Sequence, residues 1–451
     1  MKRIVIGGTH SGCGKTTVTC AVLAALKARG LALSSFKCGP DYIDPMFHRR
    51  ITGVAAHNLD SRFCGDDMLR QLLCENSRNS DISVIEGVMG YFDGADGRGS
   101  AYSVSLITDS PAVVVIDCKG ASKSIGAVVH GFMNYRAPNN IKGFIFNRLP
   151  DRLVPMAERI CAELGAEYFG FLPSGAPHVD SRRLGLVTAD EIADIQEKLA
   201  ELGRLAEKHI LLDKLLMTAE APEPEYTPHE MHGLFAKSMP KIAVASDNAF
   251  CFIYSDNISI LEKLGCRIEY FSPIHDDKIP ADACGLILSG GYPELYAGKL
   301  SANPSMRDSV RNAVLGGMPT IAECGGFMYL HDRLRTADGT EYPMAGVINA
   351  EAFETDKLRR FGYADLTAEE DSLLFRRGDR IPAHEFHYWD STDCGSGLRA
   401  LKTDGRSWEC VHTSPTLYAG FPHLYFGADV RLAERFAAAC GYFGGLNGKD
   451  L

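Results

Sequence analysis

Short runs of apolar, mostly β-branched residues alternate with helical patterns through the first part of the chain. The runs that predict buried strands are Arg3–Ile6, Ser34–Lys37, Ile82–Ile85, Ala112–Ile116 and Gly143–Phe146. Continuous apolar strands separated by helices are typical of a parallel sheet whose two faces are both covered. The pattern therefore predicts an α/β domain in the first half of the chain.

The segment MTAEAPEPEYTPHE, from Met217 to Glu230, interrupts this pattern after a helical, charged stretch over Ala189–Leu216. A segment so rich in Pro, Glu and Thr cannot bury a core and is typical of a linker. The α/β pattern then restarts, with predicted strands at Lys241–Ala245, Arg267–Phe271, Gly285–Leu288 and Pro319–Ala322. We predict a first domain over residues 1–215, a linker over 216–240 and a second α/β domain over 241–451.

Composition narrows the class of protein. The 451 residues are 45% apolar and 23% charged, which is typical of a globular protein with two or three domains. A net charge of −10 argues against non-specific binding to nucleic acid, because that needs a basic surface. The 14 cysteines show no Cys-x-x-Cys spacing and are expected to be reduced thiols.

The chain enters a strand at once, without a signal-type segment, and it lacks the ~18 consecutive apolar residues of a membrane span. We therefore expect a cytoplasmic protein that binds no membrane.

The segment GGTHSGCGKTTVTC, from Gly7 to Cys20, lies between the first predicted strand and a helical pattern over Thr17–Lys27. Backbone N–H groups of such a loop face phosphates, a lysine adds positive charge, and a threonine hydroxyl can bind Mg²⁺. Five residues separate the second glycine from the Gly-Lys-Thr, where the common phosphate loop has four. We predict a nucleotide site that contains Gly12, Gly14, Lys15, Thr16 and Thr17.

Acidic residues follow two further predicted strands. FKCGPDYIDP presents Lys37, Asp41 and Asp44, and DISVIEGVMGYFDG places Glu86 at the end of a strand. Each segment alone also fits a solvated turn or a helix cap. Because ligands of open α/β sheets bind at the carboxyl ends of the strands, the convergence of three elements there favours a catalytic site for ATP, Mg²⁺ and an acidic substrate. Thr16, Glu86 and Asp41 are the predicted Mg²⁺ ligands, although spacing does not decide which carboxylate binds the ion.

The second domain contains a candidate nucleophile. In GMPTIAECGGFMYL, Cys324 lies at a tight turn between a predicted strand and a helix, an arrangement that lifts a nucleophile above the sheet and lowers the pKa of a thiol by aiming a helix amino terminus at it. Backbone N–H groups of Gly290, Gly291 and Gly325 could stabilise an oxyanion beside it. The late segment YAGFPHLYFG supplies His423 as the base. We predict a Cys324–His423 pair and leave its third member unassigned.

Two other polar segments contain no predicted catalytic residue. AHEFHYWD places His384 and His387 on a predicted strand, where alternation separates them onto opposite faces, so a metal pair is not expected. A structural role fits this segment, and the family resemblance given below implies as an alternative an approach to the substrate or to the interface between domains. In SDNAFCFIYSDNISIL, Asp256 and Asn257 fit a helix cap.

The motifs together resemble a known family. The five-residue loop spacing is similar to that of dethiobiotin synthetase and its relatives. The segments KCGPDYIDP, NLD at Asn58–Asp60, and EGVMGYFDG resemble cobyrinic acid a,c-diamide synthases. His10 stands where the related partition ATPases carry a signature lysine. The second half resembles class I glutamine amidotransferases, although Tyr425 stands where most of them have a glutamate, two residues beyond the histidine.

The resemblance implies a dethiobiotin synthetase-like P-loop domain followed by a flavodoxin-like α/β amidotransferase domain. It implies amidation of the a and c carboxylates of cobyrinic acid through an acyl phosphate, with ATP and Mg²⁺ and with ammonia from L-glutamine. Nickel sirohydrochlorin is an alternative substrate that these motifs do not exclude. A partition-type ATPase switch is a further alternative, which His10 and the Cys324–His423 pair disfavour. A homodimer is left open.

Overall fold

A computed structural model describes residues 1–94, 97–179, 195–231, 233–234 and 239–445. The chain divides into two units, Met1–His229 and Glu230–Leu451. Within the described ranges, none of the helices has the length and apolar character needed to cross a bilayer. The predicted domain ranges stay a prediction.

Among the described residues of the first unit, seven parallel strands form one sheet in the order β3-β2-β4-β1-β5-β6-β7. The predicted α/β class is confirmed, and each of the five predicted strands lies within or overlaps one of these. The strands that we did not predict are β3 and β7. The strands are β1 (Arg3–Gly8), β2 (Leu33–Cys38), β3 (Ala56–Leu59), β4 (Ile82–Glu86), β5 (Ala112–Asp117), β6 (Ile141–Leu149) and β7 (Glu167–Pro173).

Helices cover this sheet and bury its apolar strands. Val18 and Val22 of the first helix pack with Ile4, Ile6 and Val113 of the central strands, and all five side chains are buried. The stretch predicted to be helical after residue 189 contains α7 and most of α8, while residues 189–194 lie outside the described residues. The helices are α1 (Lys15–Ala28), α2 (Ile43–Thr52), α3 (Asp66–Ser77), α4 (Ala101–Ile107), α5 (Ile125–Asn134), α6 (Val154–Glu163), α7 (Ile195–His209) and α8 (Leu212–Thr218).

Part of the Pro- and Glu-rich segment runs along the first unit. The backbone N–H of Arg3 donates to the carbonyl of Ala219 at 2.8 Å. Further along, the N–H of His229 donates to the side-chain oxygen of Gln71 at 2.7 Å. Hydrogen bonds to the backbone thus hold a segment whose side chains are too polar to form a core of their own.

In the part of the second unit that the structure describes, six strands form a sheet in the order β18-β19-β11-β10-β8-β9, parallel except for β18. Three of the strands predicted here are confirmed as β8, β9 and β10, and the fourth lies one residue further along as β11. The strands of the unit are β8 (Lys241–Ala245), β9 (Arg267–Phe271), β10 (Gly285–Leu288), β11 (Thr320–Glu323), β12 (His331–Arg335), β13 (Glu341–Pro343), β14 (Ile348–Ala368), β15 (Arg380–Ser391), β16 (Leu398–Leu401), β17 (Ser407–Cys410), β18 (His412–Ser414), β19 (Leu417–Gly420) and β20 (His423–Leu424).

A second, mostly antiparallel sheet accompanies the first in this unit. It has the order β13-β12-β14-β15-β20, with β16 and β17 continuing from β14. We predicted only the strand at β15, because long strands with one exposed face carry a weaker apolar signal than buried parallel strands. The helices of the unit are α9 (Ser255–Lys263), α10 (Ala297–Ser301), α11 (Pro304–Leu315), α12 (Gly325–Tyr329) and α13 (Arg431–Phe443).

Candidate active sites

The loop between β1 and α1 has the backbone conformation of a phosphate loop. Gly12 and Gly14 have φ angles of 79° and 97°, in the region that favours glycine. A Cβ atom on Gly14 would also lie 2.0 Å from the side-chain nitrogen of Asn147. That nitrogen donates to the carbonyl oxygen of Cys13 at 3.0 Å and so holds the loop from β6. The glycines predicted to bind nucleotide are therefore required by the shape of the loop itself.

Two side chains at the start of α1 have defined partners. Lys15 is the first residue of the helix, and its Nζ donates to the carbonyl oxygen of His10 at 3.0 Å, within the loop. The hydroxyl of Thr17 accepts a hydrogen bond from the N–H of Val179 at 3.2 Å. Lys15 is thus held over the loop where a phosphate would lie, while Thr17 faces a segment beyond β7. Their roles in nucleotide binding stay predictions.

Thr16 contacts both of the acidic segments. Its Oγ1 donates to Oε1 of Glu86 at 2.6 Å and lies 3.2 Å from Oδ2 of Asp44. Glu86 is brought there because β4 pairs with β1 in parallel, with Glu86 opposite Ile6 at the start of the loop. The expected convergence of these segments at the carboxyl ends of the strands is present in the structure.

Lys37 lies at the centre of the carboxylates. It pairs with Glu86 in the register of β2 and β4, and its Nζ is 2.9 Å from Oε1 of that residue. Nζ also forms an ion pair with Asp44 and lies 3.7 Å from Oδ2 of Asp41. Burial disfavours the ammonium charge, but the surrounding carboxylates, Asp44 first, hold the pKa of Lys37 well above its usual value.

His48 is a residue of this site that the sequence analysis missed. Its Nε2 lies 2.7 Å from Oε2 of Glu86, and both side chains are fully buried. Burial alone would raise the pKa of Glu86, but Lys37 and His48 hold the pKa of that carboxyl well below its usual value. The sequence could have indicated His48 through its spacing. It follows Asp44 by four residues, so both side chains lie on one face of α2.

Asp41 has a different environment from Asp44. Its Oδ1 accepts hydrogen bonds from the N–H groups of Ile43 at 2.9 Å and Asp44 at 3.2 Å, at the start of α2. The side chain of Asn58, from the NLD motif, donates to the carbonyl oxygens of Gly39 at 3.0 Å and of Asp41 at 2.7 Å. Asp41 therefore shapes the loop, and Asp44 is the carboxylate of this loop that contacts Thr16.

The donor atoms fit Mg²⁺ bound together with a nucleotide. Within the described ranges, no group of three or more His, Cys, Asp or Glu side chains could hold a metal ion by itself. Thr16 and Glu86 nevertheless supply adjacent hydroxyl and carboxylate oxygens. In nucleotide sites Mg²⁺ takes one or two protein oxygens and completes its shell with phosphates and water. The ligand set of Thr16, Glu86 and Asp41 stays a prediction.

The second unit carries the expected elbow. Cys324 lies between β11 and α12 with a φ of 47° and is buried, and its N–H donates to the carbonyl of Gly420 at 2.8 Å. A Cβ atom on Gly326 would come 2.0 Å from the carbonyl oxygen of Leu288, so the turn needs glycine at that position. The small residues around Cys324 thus let a strained strand-to-helix turn pack tightly against β10.

His423 lies beside the nucleophile. β11 and β19 are neighbours in the sheet, and His423 follows β19 by three residues, which brings the ring into a hydrogen bond with the Cys324 side chain. Nδ1 of His423 lies 3.2 Å from Oε2 of Glu323, a residue for which we had predicted no role. Burial opposes protonation, but the hydrogen bonds with Cys324 and Glu323 raise the pKa of His423 to about 10.

Three glycines surround this pair. A Cβ atom on Gly290 would come 2.6 Å from Cε1 of His423, and one on Gly325 would come 3.0 Å from the backbone nitrogen of Gly291. The turn after β10 and the first residue of α12 therefore lie together beside the thiol and the imidazole. Their action as an oxyanion hole stays a prediction.

The segment after His423 is held by α9. Tyr425 donates from its hydroxyl to Oδ2 of Asp256 at 2.9 Å. The side chain of Asn257 donates to the carbonyl of Leu424 at 2.9 Å and accepts from the N–H of Phe426 at 2.8 Å. The expectation that Asp256 and Asn257 cap a helix is wrong, because both lie inside the first turn of α9 and bind this distant segment instead.

The two histidines of β15 have different neighbours. His384 pairs with His423 across β15 and β20, and burial together with the charge of His423 lowers the pKa of His384 to about 3. The ring of His387 lies 2.8 Å from Oε2 of Glu385 and stacks on Phe421 with centroids 4.0 Å apart. The two rings thus contact different groups, as the alternation along the strand predicts.

Both halves of the chain match known family models. The model described as CobQ/CobB/MinD/ParA nucleotide binding domain matches residues 4–180, and the model described as CobB/CobQ-like glutamine amidotransferase domain matches residues 241–429. The cobyrinate a,c-diamide synthase of Priestia megaterium is 36% identical over 458 residues, which cover 97% of each chain. The enzyme of the same name from Thermoplasma volcanium is 35% identical over 451 residues, again 97% of each chain.

The chain belongs to the cobyrinate a,c-diamide synthase family. The predicted resemblance is confirmed, and with it the assignment of the chain to the ligases that form amides with a glutamine amidotransferase domain. The first model spans the phosphate loop with Lys37 and Glu86, and the second spans Cys324 and His423. Both of the constellations described above thus lie inside the matched regions.

Two solved structures are similar to parts of this chain at low identity. The MinD cell division protein of Aquifex aeolicus covers 49% of this chain and 95% of its own, with 17% identity and a TM-score of 0.30. PurLQS from Thermotoga maritima covers 46% of this chain and 99% of its own, with 16% identity and a TM-score of 0.32. Scores this low carry no argument about function.

Proposed function

We propose that this protein amidates the a and c acetate carboxylates of cobyrinic acid in the cytoplasm, with ATP, Mg²⁺ and glutamine. One observation carries the proposal: a single chain holds both a phosphate loop facing a carboxylate cluster and a buried Cys324–His423 pair on an elbow. Its relatives of nearly the same length bear the name of such an enzyme. A phosphate loop alone would not need a thiol nucleophile, and a glutaminase alone would not need ATP.

The first unit would activate the carboxylate. An oxygen of the substrate carboxylate attacks the γ-phosphorus of ATP. The bond from that phosphorus to the bridging oxygen breaks, ADP departs, and the substrate becomes an acyl phosphate. Lys15 and the N–H groups of the loop bind and orient the phosphates, since the loop holds Lys15 above its own backbone. Thr16 and Glu86, with Asp44 or Asp41, would hold Mg²⁺. When bound, the ion neutralises negative charge on the phosphates.

The second unit would release ammonia. With the proton that Cys324 and His423 share lying on the imidazole, the sulfur of Cys324 bonds to the carboxamide carbon of glutamine. The carbon–nitrogen bond then breaks, and the proton passes from His423 to the departing nitrogen, so that ammonia leaves uncharged. Water, deprotonated by His423, hydrolyses the thioester to glutamate and restores the thiol. N–H groups of Gly291 and Gly325 are the donors proposed for the oxyanion.

Ammonia then completes the amide. It adds to the acyl carbon, the bond from that carbon to the phosphate oxygen breaks, and one ammonia proton leaves with the phosphate. A free carboxylate does not undergo this step at neutral pH, because oxide is too poor a leaving group. The two units thus supply the two activated reactants of one condensation.

A mass measurement tests the proposal. The purified chain is incubated with ATP, Mg²⁺ and glutamine, and with either cobyrinic acid or nickel sirohydrochlorin, and products are followed by mass spectrometry and ADP release. Two successive replacements of hydroxyl by amino groups on cobyrinic acid, each with release of ADP, are expected. Amidation of nickel sirohydrochlorin instead would change the tetrapyrrole, and ATP hydrolysis without amidation of either compound would refute the proposal and favour an ATPase switch.

A further inference from the structure

The glutaminase pair has an acidic neighbour at an unusual place in the sequence. Most class I amidotransferases carry the orienting glutamate two residues beyond the histidine, where this chain has Tyr425. Tyr425 is fully buried, and its hydroxyl is hydrogen bonded to Asp256. Position 425 therefore cannot supply a carboxylate, and the nearby acid Asp256 is engaged by the tyrosine.

We propose that Glu323, the residue directly before the nucleophile, is the positioning carboxylate of His423. Its Oε2 lies 3.2 Å from Nδ1 of the imidazole. This inference rests on the proposed glutaminase function of Cys324, and it adds a role that the motif around the cysteine does not itself indicate.

The strand order explains how Glu323, which precedes the nucleophile in the sequence, comes to contact His423. Glu323 ends β11 and pairs with Gly420 at the end of β19, so the chain that continues from β19 to His423 passes over the carboxylate. The other oxygen of Glu323 accepts the N–H of Leu424 at 3.0 Å. One carboxylate thus binds both the ring and the backbone of the segment that carries it. Ring rotation and movement of the segment are restrained together.

The hydrogen bond to Nδ1 determines which ring nitrogen serves the thiol. With Nδ1–H donating to Glu323, Nε2 is the nitrogen left to share a proton with Sγ and to pass it to the leaving amine. The carboxylate of Glu323 stabilises the imidazolium form of the ring through this hydrogen bond. It does not touch the substrate, so its effect passes entirely through His423.

Other ionisable groups around His423 do not supply this charge. From β15, His384 faces the ring, and its pKa of about 3 leaves it neutral. From the elbow, Cys324 is the reacting group itself. The buried position of Glu323, with about 9% of its surface exposed, keeps water from screening its interaction with the imidazole.

Glu323→Gln tests the inference in the full-length chain. Gln is nearly isosteric and removes the charge while leaving the preceding and following backbone able to form the elbow. We expect kcat for glutamine hydrolysis to fall by about 100-fold or more, with the KM for glutamine changed little, as when the acid of a Ser-His-Asp triad is neutralised. The pH dependence of Cys324 alkylation by iodoacetamide is expected to shift as well. Amidation driven by ammonium salts should keep the wild-type rate, because the first unit is untouched.

Matched variants separate positioning from folding. Asp256→Asn removes a different buried carboxylate, which contacts Tyr425 and not His423 in the hydrogen bonds described above, and should leave the pH dependence of alkylation as in the wild type. Glu323→Asp keeps the charge but shortens its reach, so its kcat should lie between those of the wild type and the Gln variant. It also provides the test if the Gln variant does not fold.

Unchanged kcat and an unchanged alkylation profile in the Gln variant, or in the Asp variant if only that one folds, would overturn the role of Glu323. Failure of the proposed function looks different. In that case the wild-type chain would amidate neither tetrapyrrole with glutamine or with ammonia, while thiol alkylation would still report on the Glu323–His423 contact.

Discussion

His48 and Glu86 form a fully buried pair, with Nε2 of the imidazole 2.7 Å from Oε2 of the carboxylate. The other oxygen of Glu86 contacts Thr16 at 2.6 Å and Lys37 at 2.9 Å. The carboxylate is therefore oriented from α2 on one side and faces the phosphate loop on the other. Through this pair, α2 positions the predicted Mg²⁺ ligand.

Substitution of His48 should weaken Mg²⁺ binding without affecting glutamine hydrolysis. Loss of an outer partner of a metal ligand costs about 10- to 100-fold in metal affinity. We expect the Mg²⁺ concentration for half-maximal ammonia-driven amidation to rise by about that factor in His48→Asn. The exposed His130 of α5 provides the control, as His130→Asn should keep the wild-type value. Equal Mg²⁺ dependence in both variants would show that Glu86 does not need His48.

Lys37 should contribute strongly to stability. Lys37→Met leaves the buried carboxylates of Asp44 and Glu86 without their cation, and breaking a buried ion pair costs about 3–5 kcal/mol. Urea unfolding at neutral pH should show a loss of this size, and Mg²⁺ with ATP should restore part of it. Lys27→Met, at an exposed position of α1, should be nearly neutral. A Lys37 variant as stable as the Lys27 variant would mean that the cluster is solvated.

Cys324→Ser should separate the two activities. The serine hydroxyl is far less acidic than a thiol, so glutamine-driven amidation is expected to disappear while ammonium-driven amidation persists. Cys284→Ser, away from the pair, should retain both. If ammonium did not rescue Cys324→Ser, the division of labour between the two units would be wrong.

The protonated ring of His423 should make stability depend on pH in a defined window. Its pKa is raised from 6.5 to about 10, against the opposing effect of burial, by hydrogen bonds with Cys324 and Glu323. A raised pKa means that the stabilisation is complete below pH 6.5 and is lost as the pH rises through the folded value. The wild-type advantage over His423→Gln in unfolding free energy should decline between pH 6.5 and 10, by at most about 1.4 kcal/mol per pH unit.

Three ionisable groups around the ring enter that measurement. Cys324 and Glu323 lie on the side of β11, and His384, which stays neutral over this range, lies on β15. Because the loss of ring packing in His423→Gln is independent of pH, only the slope of the difference reports the titration. A flat difference across this range would show that His423 is neutral in the folded chain.

Local sequence determined most of the parallel strands and the reactive side chains that lie within a single loop. Apolar runs predicted most of the parallel strands, because a strand buried on both faces must be apolar throughout. The phosphate loop and the elbow were also readable, since Gly12, Gly14 and Gly326 are needed by the loops in which they lie. Lys37 and Glu86 were predicted to lie at the same edge of the sheet, because ligands of open α/β sheets bind at the carboxyl ends of the strands.

Tertiary structure decided which of these groups touch. Glu323 meets His423, 100 residues away, only because β11 and β19 are neighbours in register, and His48 meets Glu86 only because α2 packs beside β4. Of the mostly antiparallel sheet in the second unit, likewise, only the strand at β15 was among the predicted elements. Local propensity and spacing act over a few residues, whereas strand order and register depend on the packing of the whole domain. Strand order and register therefore decide which side chains an acidic residue contacts.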